Sequence, residues 1–144
     1  MENTDTIMLL RECDAGTKMA ISSIDEILDR ICSSNMRQAL QESKQHHERL
    51  KKQITSILNK YQSEEKEPGA IAKSMSWIKT NLKMGVDSSD ATVADLITDG
   101  CNMGVKSLNR YLNQYETADR SVKDLCSELI SIEEKLCQQL RQYL

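Results

Sequence analysis

Residues 43–58 read SKQHHERLKKQITSIL, and residues 129–144 read LISIEEKLCQQLRQYL. Superposed at an offset of 86 positions, they set Leu50 on Leu136, Ile54 on Leu140 and Leu58 on Leu144, with His47 on Glu133. A second echo, at an offset of 88, sets Cys13, Gly16 and Lys18 on Cys101, Gly104 and Lys106. Residues 4–61 and 90–144 therefore read as two copies of one helical hairpin, and a repeat of this kind constrains architecture before local propensity is weighed.

Apolar periodicity fills in the hairpins. A first helix is expected over about 4–32, with Cys13, Ala20, Ile24, Ile27, Leu28 and Ile31 spaced by threes, fours and sevens. Ser33, Ser34 and Asn35 make a short polar break, and any of them can cap a second helix. That helix carries Met36, Leu40, Ser43, His47, Leu50, Ile54, Ile57 and Tyr61 on one stripe. So short a connection makes the two helices antiparallel neighbours. The third helix, about 89–115, is expected to bury Val93, Leu96, Ile97, Gly100, Gly104, Leu108, Tyr111 and Leu112, with Asp87 as its cap. A soft joint at 116–120 leads to the fourth, whose buried stripe is Val122, Leu125, Leu129, Glu133, Leu136, Leu140 and Leu144.

The chain between the hairpins decides the topology. Pro68 stops the second helix, a shorter helix follows at about 70–84, and Gly85 suits its C-terminal end. A helix of about 27 residues is roughly 40 Å long, and the segment 62–89, part helical and part extended, is long enough to return along all of it. The expected fold is an all-α four-helix bundle in one domain, 1–144: hairpin 4–61, crossover 62–89 with a short fifth helix, hairpin 90–144.

Composition narrows the function classes. The chain has no Phe, one Trp, four Tyr, a single Pro and five Gly, so its core is aliphatic and helical. A net charge of −3 with acids and bases interspersed gives no basic stripe for nucleic acid. The N-terminal residues lack the basic start of a signal peptide, and no apolar run spans a membrane, so a cytoplasmic protein is expected. The five cysteines, 13, 32, 101, 126 and 137, form no C-x-x-C pair and read as small buried hydrophobes.

Repeat, length and crossover together resemble the ferritin-like four-helix bundles, in particular the small bacterial bundles related to the rubrerythrins. The resemblance covers nearly the whole chain and implies a two-metal centre, iron or manganese. Its ligands would be one inward Glu on the first and third helices and Glu-x-x-His on the second and fourth. No Glu-x-x-His occurs here. The second helix offers Ser43-x-x-His46 and the fourth offers Glu133-x-x-Leu136, while the first and third present Gly16, Thr17 and Ala20, and Gly104, Val105 and Leu108. The expectation is therefore a ferritin-like bundle without the di-metal centre.

Several residues remain to be weighed. His47 and Glu133 fall on apolar stripes at matching positions, where a hydrogen-bonded buried pair is the simplest reading. The functional alternative is a single-metal, oxidoreductase site made by His46, His47 and Glu133, with iron or manganese. Gly16, Gly100 and Gly104 read as close packing of the first and third helices, and alternatively as room for a small ligand. Cys13 and Cys101 share a repeat position; buried structural thiols are expected, and a redox pair facing across the repeat axis is the alternative. On the crossover, Met75 and Trp77 are the expected interface residues. The leading expectation is a non-catalytic structural or protein-interaction bundle, cofactor-free and self-associating, as a dimer. A metal-binding protein and a carrier of a small apolar ligand are the two alternatives.

Overall fold

The computed structural model describes residues 4–61 and 89–144. They form four helices: α1 (Thr4–Ile27), α2 (Ser34–Lys60), α3 (Asp90–Gln114) and α4 (Arg120–Leu140), with short 3₁₀ turns at Leu28–Arg30 and Arg141–Tyr143. Among the described residues there is no strand. The expected helix at about 70–84, with Met75 and Trp77, lies outside the described residues, as does Asp87.

The polar break after α1 works as expected. Ser33 is extended, and its hydroxyl accepts from the Met36 N–H at 3.2 Å, meeting one of the unpaired donors at the start of α2. Ser89, not Asp87, caps α3, accepting from the Thr92 N–H at 3.3 Å. Ser89 directly precedes the first helical residue, where a short side chain folds back onto the first turn.

Hydrogen bonds at the two ends of the bundle fix its topology. At one end, both carboxylate oxygens of Asp90, the first residue of α3, accept from the Cys32 and Ser33 N–H groups at 2.9 and 2.8 Å. At the other end, Asp5 accepts from the Thr117 N–H at 3.1 Å and from its hydroxyl at 2.6 Å. There too the Asp119 N–H reaches Thr6 Oγ1 at 2.8 Å, and the Tyr61 hydroxyl reaches Asp119. The start of α3 thus lies beside the α1–α2 turn, and the end of α2 lies beside the start of α4. So α2 and α3 run parallel, and Tyr61 and Ser89 lie at opposite ends of the bundle. α1 packs on α2, α3 and α4, and α4 packs on all of α1, α2 and α3. α1 and α4 therefore form the close diagonal of the bundle.

The aliphatic core is split into two. One half joins Ile24, Ile27, Met36, Leu40, Val93, Ile97, Leu136 and Leu140. The other joins Leu9, Leu10, Leu50, Ile54, Leu58, Leu108, Val122 and Leu129. Between them lies a belt of buried polar side chains: Asp14, Thr17, Ser43, His47 and Glu133. Asp14 is held by Lys18 one turn on, at 2.9 Å. Leu144, expected in the core, is 59 % exposed, because α4 ends at Leu140 and a 3₁₀ turn redirects the last residues. Leu125 and Leu112 are only partly buried, and Cys126, Ile130 and Ala94 take buried places instead.

Asp90 is the tether between the hairpins at one end. Asp90→Ala is expected to cost about 1–2 kcal/mol in urea unfolding, since two N–H groups lose a charged acceptor. Arg120→Ala, which removes one arm of the exposed Arg120–Asp124 pair, is expected to stay within about 0.5 kcal/mol of the parent.

Candidate functional site

At the height of the polar belt, α1 and α3 do not close on one another. They part around a cavity of about 410 Å³, walled by Ala15, Gly16, Met19, Ala20 and Ile24 from α1 and by Leu96, Ile97, Gly100, Cys101, Gly104 and Leu108 from α3. His47 from α2 and Glu133 and Leu136 from α4 reach it from the far side of the bundle. Glu12, Ser23, Met103, Ser107 and Tyr111 complete the lining. Met103 is half exposed, so the cavity has an open side.

The glycines correct the expectation of close helix packing. A Cβ on Gly100 would meet nothing within 4 Å, and one on Gly16 would make only an ordinary contact with Leu129 at 3.8 Å. Neither marks a close approach of the α1 and α3 backbones. Gly104 is different. A Cβ there would lie 2.9 Å from Glu133 Oε1 and nearer still to Oε2. Its bare backbone is the berth of the Glu133 carboxyl group.

His47 and Glu133 do meet, as their stripe positions anticipate, but not as a hydrogen-bonded pair. His47 Nε2 and Glu133 Oε1 are 4.0 Å apart, beyond hydrogen-bond reach. The ring is anchored from its other side, with Nδ1 2.7 Å from the Ser43 carbonyl oxygen one turn back. His47 is 1 % exposed and Glu133 7 %, yet His47 Nε2 and Glu133 Oε2 have no hydrogen-bond partner among the described residues.

Burial sets the ionisation of both groups. Desolvation lifts the Glu133 carboxyl from its ordinary 4.5 to about 8, with the Cys137 and Cys126 thiols adding to the rise. Desolvation also lowers the His47 pKa, against the opposing hydrogen bond to Ser43. Near neutral pH the pair is an uncharged acid facing an uncharged imidazole, not an ion pair.

The other site residues fall elsewhere. His46 is half-buried on the opposite side of α2, beside Glu42, Ser43, Ile132, Lys135 and Gln139, and does not join His47 and Glu133. Among the described residues, no group of three or more His, Cys, Asp or Glu side chains comes together to hold a metal ion. Cys13 and Cys101 do not pair across the repeat axis. The Cys13 thiol donates to Cys126, and the Cys101 thiol donates to Cys137, both on α4. Donation holds Cys13 and Cys101 protonated, and it lowers Cys137 to about 7. Cys32, expected to be buried, is exposed in the α1–α2 turn.

Comparison of the chain with protein-family models, with curated proteins and with solved structures gives no match. The bundle itself, with antiparallel hairpins and parallel α2 and α3, is consistent with the ferritin-like fold in general.

Two glycines four residues apart should respond in opposite directions. Gly100→Ala is expected to stabilise the protein by up to ~1 kcal/mol in thermal or urea unfolding, the mid-helix gain with no clash. Gly104→Ala is expected to destabilise it by about 1–3 kcal/mol, because Glu133 must leave its berth.

Glu133 also gives stability a pH dependence. Folding raises its pKa, so between pH 4.5 and about 8 the folded chain holds a proton that the unfolded chain has lost. Stability from this group is fully present below the unfolded value and is lost as pH rises through the folded one. His47, with its pKa lowered, opposes this below 6.5, where the unfolded chain holds the extra proton. From pH 6.5 to 8 the Glu133 contribution is worth at most ~2 kcal/mol, and above pH 7 it is opposed by Cys137, whose lowered pKa of about 7 makes the folded chain lose a proton first. Urea unfolding at those two pH values is expected to show the Glu133 loss as the difference between the pH dependence of the parent and that of Glu133→Gln, in which the Cys137 effect remains.

Proposed function

We propose that this bundle is a non-catalytic binding protein that holds a small, mostly apolar molecule in the cavity between α1 and α3. One observation carries the reading. Among the described residues, His47 Nε2 and Glu133 Oε2 are buried without partners on the wall of that cavity. A buried polar atom without a partner costs about 1–3 kcal/mol, and an occupant with a polar head recovers that cost. The cavity volume falls within the ~300–1,000 Å³ range of small-molecule sites, with walls built mainly from aliphatic side chains and glycine.

Binding is favoured over chemistry by the state of the lining groups. Cys101 is the thiol on the wall, and its hydrogen bond to Cys137 and its burial both push it up, away from the reactive thiolate. His47 is oriented by the Ser43 carbonyl and hydroxyl oxygens, but it stands 4.0 Å from Glu133, so the two do not form a hydrogen-bonded acid–base relay. The frame supports a carrier or sensor role: two tethered hairpins hold the walls in place from the ends, leaving the middle to an occupant.

The test is titration with an environment-sensitive apolar dye, read by fluorescence, on the parent and on Gly100→Leu. The parent is expected to bind one equivalent saturably. Leucine at position 100 enters open space on the cavity wall and is expected to abolish binding while helical content and melting are kept. A parent that binds no dye, or a variant that binds it equally well, overturns the reading.

A further inference from the structure

The polar groups around the cavity can be sorted by what each has left to offer. A carbonyl oxygen only accepts, so at 2.7 Å from the Ser43 carbonyl the His47 Nδ1 must carry the ring hydrogen. In the neutral ring Nε2 is then a bare lone pair, an acceptor with nothing to donate. Ser23 gives its hydroxyl hydrogen to the Met19 carbonyl at 2.8 Å. Tyr111 gives its hydroxyl hydrogen to Glu12, and Cys101 gives its thiol hydrogen to Cys137. Among the described residues no lysine or arginine lines the cavity. Apart from the Ser107 hydroxyl and the proton that Glu133 itself carries, the described donors on the wall are engaged, and His47 Nε2 is an acceptor without a partner among the described residues.

We infer that the cavity takes a hydrogen-bond donor, specifically a small apolar molecule ending in a primary amine, whose ammonium group lies between Glu133 and His47. This rests on the cavity being a ligand site and names the class of ligand. An ammonium brings three donors and no acceptor; His47 Nε2 is a partnerless acceptor, and Glu133 Oε2 becomes one when the carboxyl group ionises. A carboxylate or phosphate ligand would face two carboxyl groups and a lone pair with no basic side chain among the described lining to offset them. An alcohol can donate to His47 Nε2 and accept from the protonated Glu133, but it gains no charge-assisted bond. The apolar part lies along Met19, Ile24, Leu96 and Ile97. At ~30 Å³ per water-sized group, the cavity has room for about a dozen such groups.

Proton bookkeeping gives a signature. At pH 7 a free alkylamine is already an ammonium ion, while Glu133 in the folded protein is protonated. Seating the cation requires Glu133 to ionise, so its proton leaves to the buffer, and an ammonium–carboxylate pair remains. The titratable groups that face Glu133 are Cys13 from α1, His47 from α2, Cys101 from α3, and Cys126 and Cys137 from α4. Of the four thiols, Cys137 has its pKa lowered to about 7 and can also give up a proton at pH 7, so it is the loss of proton release in Glu133→Gln that assigns the proton to Glu133.

The experiment is calorimetric titration of the full chain at pH 7 with hexylamine, hexanol and hexanoate, each in two buffers of different ionisation enthalpy. Hexylamine is expected to bind at least about tenfold more tightly than either competitor, the ratio for one charge-assisted hydrogen bond. It is also expected to release close to one proton per molecule bound. Glu133→Gln, folded by circular dichroism, should lose both the preference and the proton release. Should that variant not fold, Cys137→Ser, which removes the other group able to release a proton at pH 7, is expected to keep both the preference and the release, and loss of the release there overturns the assignment. Equal binding of all three compounds, or amine binding without proton release, overturns the amine assignment and leaves the cavity reading standing. Binding of none of them, by a protein that also fails to bind the apolar dye, overturns both.

Discussion

The four helices are arranged around one carboxyl group that burial holds protonated near neutral pH. Glu133 is brought to mid-bundle by the apolar stripe of α4, between residues that belong to the core above and below it. Burial keeps it protonated, and a glycine on α3 gives it the space a methyl group would take. His47 comes to the same level from α2 with its ring pinned by its own helix. A bundle packed only for stability would fill this layer with leucine, since replacing buried polar groups by well-packed apolar ones is neutral or favourable. Here the polar belt interrupts the core and leaves α1 and α3 apart.

That interruption also explains the division of labour along the bundle. The two aliphatic halves of the core carry the packing, and the hydrogen bonds of Asp5, Thr6, Asp90 and Asp119 fix the ends. Because the ends are locked, the middle can tolerate partnerless polar atoms and a cavity. The same exchange of local stability for a shaped interior is common where proteins bind small molecules.

Much of the fold was legible in the sequence, because threefold and fourfold spacing of Leu and Ile reports directly which helix face is buried. The Ser33–Asn35 break, the stripe through His47 and Leu50, and the meeting of His47 with Glu133 all follow from that spacing. The errors share a cause. Burial depends on the distance to the neighbouring helix, which spacing along one helix does not contain. Gly100 and Gly104 looked like close-contact glycines, yet one borders open space and the other makes room for a carboxyl group from a third helix. Cys13 and Cys101 match in the repeat, but their thiols meet Cys126 and Cys137, because α4 lies on the close diagonal and touches both α1 and α3. Leu144 continued the stripe on paper only, since α4 had already ended. The cavity had one signal in the sequence, three mid-helix glycines on helices otherwise rich in good formers, and that signal had two readings.

The parallel course of α2 and α3 bears on how the molecule assembles. Each hairpin is local in sequence and joined by a short turn, so its contacts close early, whereas the bonds that sew the ends link residues more than fifty positions apart, up to 113 for Thr6 and Asp119. His47 belongs to the first hairpin and Glu133 to the second. Before the hairpins dock, Glu133 is in water and, near neutral pH, ionised; after docking it is buried and neutral. Joining the two halves therefore takes up a proton at Glu133, and through that group acidity in the surrounding solution acts on assembly itself as a reactant would.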